Sequence, residues 1–218
     1  ERVVDALNRL MPAKAILVAD PGTPCPYFSA YFQAPQPGRH FITNRAHGAL
    51  GFAMSAGVGA AFGRPDAMVV ACMGDGSFNF TCGELETIVR RRVPLKMVVF
   101  SNTVFGWIKA SQKTGYGERY FSVDFDRTDH ARVAEAFAND LLSGYDLDAK
   151  TILSDRAGSR APGLVLVTSV ATTTICPHHL LAASGVTHVG YWPSEGVVGL
   201  GAIARLVDCY ARRLALQE

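Results

Sequence analysis

The feature that most limits how this chain can fold is the stretch from Ala67 to Asn102. Two continuous apolar runs, AMVVACM (67–73) and LKMVVFSN (95–102), flank TCGELETIVRRR (81–92). Short Val-rich runs closed by turn residues read as buried strands. Between them Thr81 and Glu84 stand at capping-box spacing, Leu85, Ile88 and Val89 share one helical face, and basic residues close the last turn. Strand, helix, strand is the unit of a parallel sheet with a right-handed crossover. AILVAD (15–20), closed by PGTP, adds a further strand, and HARVAEAFA (130–138) adds an amphipathic helix. The first part of the chain is therefore expected to be α/β, a parallel sheet flanked by helices.

Past residue 138 the texture changes, because NDLLSGYDLDAKTILSDRAGSRAPG is polar and turn-rich. A boundary is expected between 136 and 142, giving segments 1–138 and 139–218. The second holds LVLVTSV (164–170), VTHVGYW (186–192) and LGAIARLVDCYARRLALQE (200–218), in which Ile203, Leu206, Val207 and Tyr210 recur at helical spacing. It reads as a smaller α+β segment with antiparallel strands and a long helix, the strands suited to a barrel shared between subunits.

Bulk properties remove several function classes. A formal charge of +2 with 18% charged residues gives no surface for nucleic acid. The five cysteines are scattered without CxxC spacing, and no signal-peptide pattern opens the sequence, so a reducing cytoplasm is expected. AHGALGFAMSAGVGAAFG (46–63) is rich in Gly and Ala and carries His47, which makes it a close-packed buried helix and not a membrane span. A soluble protein acting on a small molecule is expected.

In a parallel sheet the C-terminal ends of neighbouring strands open on one crevice. Asp75 in CMGDGSFNF (72–80) follows one strand, and Asn102 follows the next, 27 residues later. A carboxylate and an amide oxygen are hard ligands that suit Mg²⁺. Gly74 and Gly76 let backbone N–H groups approach a phosphate, and Ser77 adds a hydroxyl. GDG alone is a common turn; its spacing to Asn102 across a capped helix makes it a metal–diphosphate anchor.

That combination resembles the thiamine diphosphate (ThDP) signature of the pyruvate decarboxylase and acetolactate synthase superfamily, over about residues 1–138, the diphosphate-binding (PP) domain. The resemblance implies Mg²⁺ ligation by Asp75, the Asn102 side chain and the main-chain oxygen of Val104, with Gly76 and Ser77 on the diphosphate. It also assigns Gly22 and Thr23 of PGTP (21–24) to an earlier diphosphate turn, and Gly106 to close backbone approach near the metal. Leu50 stands where the family has a bulky residue that bends the cofactor, with core packing as its other reading. His47 reads as structural. In this superfamily the cofactor carries the chemistry, and a glutamate on a separate pyrimidine-binding (PYR) domain activates it. No such domain is found here. The implied activity is that of a lyase or transferase, decarboxylase- or acetolactate synthase-like, making or breaking a carbon–carbon bond of a 2-oxo acid or related acyl donor. It requires a PYR partner, as a subunit of a homo- or hetero-oligomer or as a missing N-terminal half.

TTTICPHHLL (172–181) brings Cys176 and His179 together at C-x-x-H spacing, and thiolate with imidazole suits Zn²⁺, although two ligands do not close a site. With the run that follows, it resembles the central part of GTP cyclohydrolase I over about residues 139–218. On that resemblance Cys176 and His179 bind zinc, His178 transfers protons, and Glu218 recognises the purine. The family's third zinc cysteine and next catalytic stretch lie beyond Glu218, and its phosphate-contacting Ser-Lys pair after VGL is Gly201-Ala202 here. Cys209, on the last helix, is a poor substitute. Three readings stay open: a ThDP-dependent enzyme, a zinc-dependent purine hydrolase, and a non-catalytic composite chain with an assembly role. The first has all its metal and diphosphate ligands.

Overall fold

A computed structural model of the chain describes residues 2–158, 163–176, 181–193 and 196–214. They fall into two compact units, divided between Arg132 and Val133. The first unit contains α1 (Arg2–Leu10), β1 (Ile16–Ala19), α2 (Pro24–Tyr31), β2 (Phe41–Ile42), α3 (Phe52–Gly63), β3 (Val69–Gly74), α4 (Asp75–Thr81), α5 (Leu85–Arg90), β4 (Leu95–Phe100) and α6 (Gly106–Gly115). Its strands form one parallel sheet in the order β2-β1-β3-β4. Three of them are the apolar runs of the sequence; β2 is two residues long in a polar stretch that gives no strand signal.

Period-two alternation sorts the strand residues between two layers. Leu17, Ala19, Val70 and Cys72 pack with Val4 of α1 and Phe28 of α2. The opposite face meets α3, which lies so near the sheet that a Cβ on Gly57 would sit 2.9 Å from Leu95 Cδ1 and 3.3 Å from Ala71 Cβ. The chain leaves β1 toward β2 on one side and returns to β3 on the other. That reversal puts a topological switch point between β1 and β3, where open α/β sheets bind ligands.

Two expected helices begin elsewhere. The one expected over 81–92 starts at Asp75, straight after β3, and a 3₁₀ turn at Cys82–Glu84 joins α4 to α5. Burial of Phe78 draws the residues after Gly74 into the core as helix. Thr81 makes no cap; its hydroxyl donates to Ser77 O at 3.4 Å. The helix expected over 46–63 starts at Phe52, because the chain turns through left-handed backbone at Gly48 and Gly51.

The chain passes into the second unit within α7 (His130–Ala136), which ends in a π turn at Phe137–Leu141. This unit has α8 (Ala149–Leu153), β5 (Arg156–Ala157), β6 (Val165–Ile175), β7 (Ala182–Tyr191), β8 (Val197–Val198) and α9 (Leu200–Ala211). β6 and β7 form an antiparallel ribbon, irregular between Val167 and Val170, and β5 pairs antiparallel with β8. Ile152, Val198, Ala202, Ile203 and Cys209 form its core. α9 stops short of the length expected for it, and Leu214 bridges to Ile175 instead. Among the described residues no helix is long and apolar enough to cross a membrane.

Gly57→Val is expected to lower unfolding stability by about 1–3 kcal/mol through overpacking against β3 and β4. Urea denaturation checks this; an unchanged midpoint would show that α3 does not need its close approach.

Candidate functional site

β3 and β4 stay paired up to Gly74 opposite Phe100, and Asp75 and Ser101 leave the sheet side by side. Asp75 is buried. Its Oδ2 accepts the N–H of Asn102 at 2.8 Å, the N–H of Thr103 at 2.6 Å and the Ser101 hydroxyl at 3.3 Å. Its Oδ1 accepts the Gly76 N–H at 2.9 Å. The carboxylate thus takes over where the ladder stops and satisfies amides that the diverging strands would orphan. Thr103 has φ 57°, a left-handed conformation costly for a β-branched residue. It is held by that amide bond and by the Phe125 N–H donated to its carbonyl at 3.1 Å.

A cavity of about 760 Å³ opens at these strand ends. The turn after β1 contributes Gly22 and Thr23 to its wall, and the turn before α3 contributes Leu50. The tip of β3 and the first turn of α4 contribute Gly74, Asp75, Gly76 and Ser77, and the loop into α6 contributes Asn102, Val104 and Gly106. All ten residues expected at a cofactor site therefore line one cavity. They converge closely: Leu50 Cδ2 lies 3.6 Å from where a Gly22 Cβ would be, and a Cβ on Gly106 would sit 3.7 Å from Thr23 Oγ1 and 4.0 Å from Asn102 Nδ2. His47 is exposed and is not part of the wall. Phe28, Phe100, Phe105, Trp107 and Ile108 make much of the remaining lining apolar.

The donor set fits a hard cation. Asp75 Oδ2 is saturated by three donors, whereas Oδ1 takes only the adjacent amide, and the Asn102 side chain has no hydrogen-bond partner among the described residues. No group of three or more His, Cys, Asp or Glu that could hold a metal forms among the described residues. A metal here would rest on one carboxylate, an amide and a main-chain carbonyl, oxygen ligands that suit Mg²⁺.

One acid beside this wall escaped the sequence reading. Asp20, fully buried at the end of β1, accepts the N–H groups of Gly51 at 3.1 Å and Ala53 at 3.0 Å and the Ser77 hydroxyl at 3.1 Å. Burial pushes its carboxyl above the usual range, against the pull of the Ala53, Ser77 and Gly51 donors. The only local signal was an acid closing an apolar run, since its partners stand 31, 33 and 57 residues away.

In the second unit, Cys176 follows β6 and donates its N–H to Leu181 O at 3.0 Å. His178, His179 and Glu218 lie outside the described residues. Cys209 is fully buried, with its thiol 3.3 Å from Leu147 O.

Comparison with known proteins separates the two parts of the chain. Residues 20–153 match the family described as thiamine pyrophosphate enzyme, C-terminal TPP binding domain, and residues 123–218 match GTP cyclohydrolase I. A probable acetolactate synthase large subunit of Methanococcus aeolicus is 32% identical over 136 residues, 62% of this chain and 22% of that protein. The acetolactate synthase isozyme 2 large subunit of Escherichia coli K12 is 34% identical over 132 residues, 60% of this chain and 24% of its own length. GTP cyclohydrolase 1 of Ralstonia nicotianae is 39% identical over 87 residues, 40% of this chain and 42% of that protein. The chain thus spans under half the length of each of these relatives. Among solved structures, a thiamine diphosphate-dependent 4-hydroxybenzoylformate decarboxylase of Rhodococcus jostii RHA1 shares the fold. Its TM-score is 0.57 at 22% identity, over 62% of this chain and 25% of that one.

A Cβ on Gly76 would overlap the Phe105 ring at Cε1, and that ring packs against Phe80 and Phe125. Gly76→Ala is expected to destabilise by about 1–3 kcal/mol, with part of the loss recovered in Gly76→Ala/Phe105→Leu. Simple additivity of the two changes in urea melts would contradict the contact.

Proposed function

This chain belongs to the family of C-terminal, TPP-binding domains of thiamine pyrophosphate enzymes, and we propose that residues 1–138 hold thiamine diphosphate through Mg²⁺. They would do so as part of a carbon–carbon lyase or ligase acting on a 2-oxo acid or related acyl donor. The observation that carries the reading is the Asp75 carboxylate, whose Oδ2 takes the amides of the neighbouring strand tip while Oδ1 takes only the Gly76 amide and keeps lone-pair capacity for a cation, with the unpartnered Asn102 side chain lining the same cavity. When bound, the cofactor supplies an electron sink beside a substrate carbonyl. Asp75, Asn102 and the Val104 carbonyl would hold the metal. Gly22, Thr23, Gly74, Gly76 and Ser77 would surround the diphosphate, Leu50 would support the bend of the cofactor, and Gly106 would keep the approach open.

Activity is proposed to need a PYR-type partner domain, in an oligomer or elsewhere in a longer chain. Tyr27, Trp107 and Ile108 on the cavity rim are 46%, 55% and 48% exposed, which suits a surface that another domain covers. The scattered cysteines fit a cytoplasmic setting. In calorimetric titrations the chain is expected to bind thiamine diphosphate only with Mg²⁺. Asp75→Asn, which keeps an acceptor for the strand-tip amides but loses the charge, should remain folded and lose that binding. Equal affinity in this variant would remove the proposal.

The match over residues 123–218 favours a second reading for the other segment, a GTP cyclohydrolase I-like zinc site built on Cys176 and His179 with His178 and Glu218 as catalytic and purine-binding groups. It requires zinc in proportion to chain after purification from zinc-supplemented culture, and less than a tenth of that in Cys176→Ala. Wild-type protein without zinc would end this reading.

A further inference from the structure

Asp20 has no role in the reading above, yet it reaches the same cavity wall. Two of its three donors, the amides of Gly51 and Ala53, are what a carboxylate at a helix start takes. The third, the Ser77 hydroxyl, belongs to no cap, and Ser77 lines the cavity. A serine hydroxyl carries a single proton. While Asp20 is ionised that proton is committed to Oδ1, and Ser77 can present only lone pairs to an anion. If Ser77 turns its proton toward a diphosphate oxygen, the buried carboxylate loses a donor, which is costly. A proton added to Oδ1 repairs this, because Asp20 then donates to Ser77 Oγ and still accepts from both amides.

We propose that binding of a diphosphate at Ser77 is coupled to uptake of one proton by Asp20. The proton comes from solvent, the Ser77 hydrogen is redirected into the cavity, and no other bond changes. The proposal rests on the thiamine diphosphate reading for the identity of the anion. The neighbouring groups leave Asp20 to answer alone. α3 has no titratable side chain from Phe52 to Gly63, and β3 offers Cys72, a buried thiol pushed up to about 12 by desolvation and therefore neutral. α4 brings Asp75, already bound to the strand-tip amides, and α2 brings the thiol of Cys25 and the phenols of Tyr27 and Tyr31. The turn before α3 carries Arg45 and His47, both exposed. Burial raises the Asp20 carboxyl toward the neutral form that binding needs.

Binding that favours the protonated acid makes affinity level below the pKa of Asp20 in the free chain and lower above it, by up to about tenfold per pH unit. Asp20→Asn removes the titration and puts a permanent donor on Ser77 Oγ, at the cost of the acceptor that Oδ1 gives the Gly51 N–H. Mg²⁺–thiamine diphosphate is titrated into the full chain in buffers of different ionisation enthalpy across about pH 5 to 8, a comparison in which the ligand's own protons cancel. The wild type is expected to take up as much as one proton more per ligand than Asp20→Asn, whose affinity should lack the wild type's fall toward alkaline pH. Ser77→Ala should lose the extra proton too, and carries the comparison if Asp20→Asn does not fold. Equal proton uptake, or the same fall of affinity with pH in Asp20→Asn as in the wild type, overturns the coupling and leaves Asp20 a helix cap. No binding by any of the three proteins removes the cofactor reading together with this proposal.

Discussion

The first unit depends on what happens where two parallel strands stop pairing. β3 and β4 run in register to Gly74 and Phe100, and beyond that pair the backbone of β4 has amides with no strand to receive them. Asp75 receives two of them on one carboxylate oxygen. A side chain that continues a ladder is fixed by the ladder's own geometry, and the Gly76 amide holds the other oxygen in place. The same bonds hold Thr103 in a conformation that a free loop would leave. The carboxylate that orders the strand tip is thus the same one proposed to bind the cation.

A second acid on the same wall solves a different problem. Asp20 is enclosed by the start of α3 and the first turn of α4, and every bond it makes is to a neutral donor. Asp75 also accepts neutral donors, but it borders the cavity, where a cation can reach it. Asp75 is the acid proposed to face a metal, whereas burial raises the Asp20 carboxyl toward its neutral form. The close approach of α3 at Gly57 and of Phe105 at Gly76 keeps the walls that carry them tight enough for single hydrogen bonds to matter.

The parts of this arrangement differ in how far they could be read from the chain. β1, β3 and β4 were legible because strands buried on both faces are continuous apolar runs; Gly74, Asp75, Gly76, Ser77 and Asn102 were legible because they follow those runs, while Gly22, Thr23, Leu50, Val104 and Gly106 were reached through the family resemblance. α4 was not, since GDGSFNF carries turn residues and only the tertiary burial of Phe78 makes it helical. Thr81 and Glu84 imitate a helix start that the chain has already passed. β2 borrows its pairing from β1 and has no pattern of its own. Asp20 was out of reach because its partners are distant in sequence and two of them are backbone groups, which no residue type announces.

The residues from Val133 to Leu153 carry the strongest conflict in the chain. The thiamine pyrophosphate family match runs through them to 153, while the GTP cyclohydrolase I match has already begun at 123, so 31 residues (123–153) are claimed by both. Packing resolves where they belong in space. Ile152 is buried with Val198 and Ile203, and half-buried Leu147, Ala149 and Leu153 pack against the same cluster as Leu206; Val198, Ile203 and Leu206 are matched only to the second family. Asp148 caps α8 through the Thr151 amide at 2.9 Å, which fixes the helix that delivers Ile152 to that core. A segment with such partners contributes its apolar area to the second unit whichever family its sequence descends from. The first unit therefore completes its sheet and its cavity with residues up to Arg132, and every element that builds the cavity wall lies before α7.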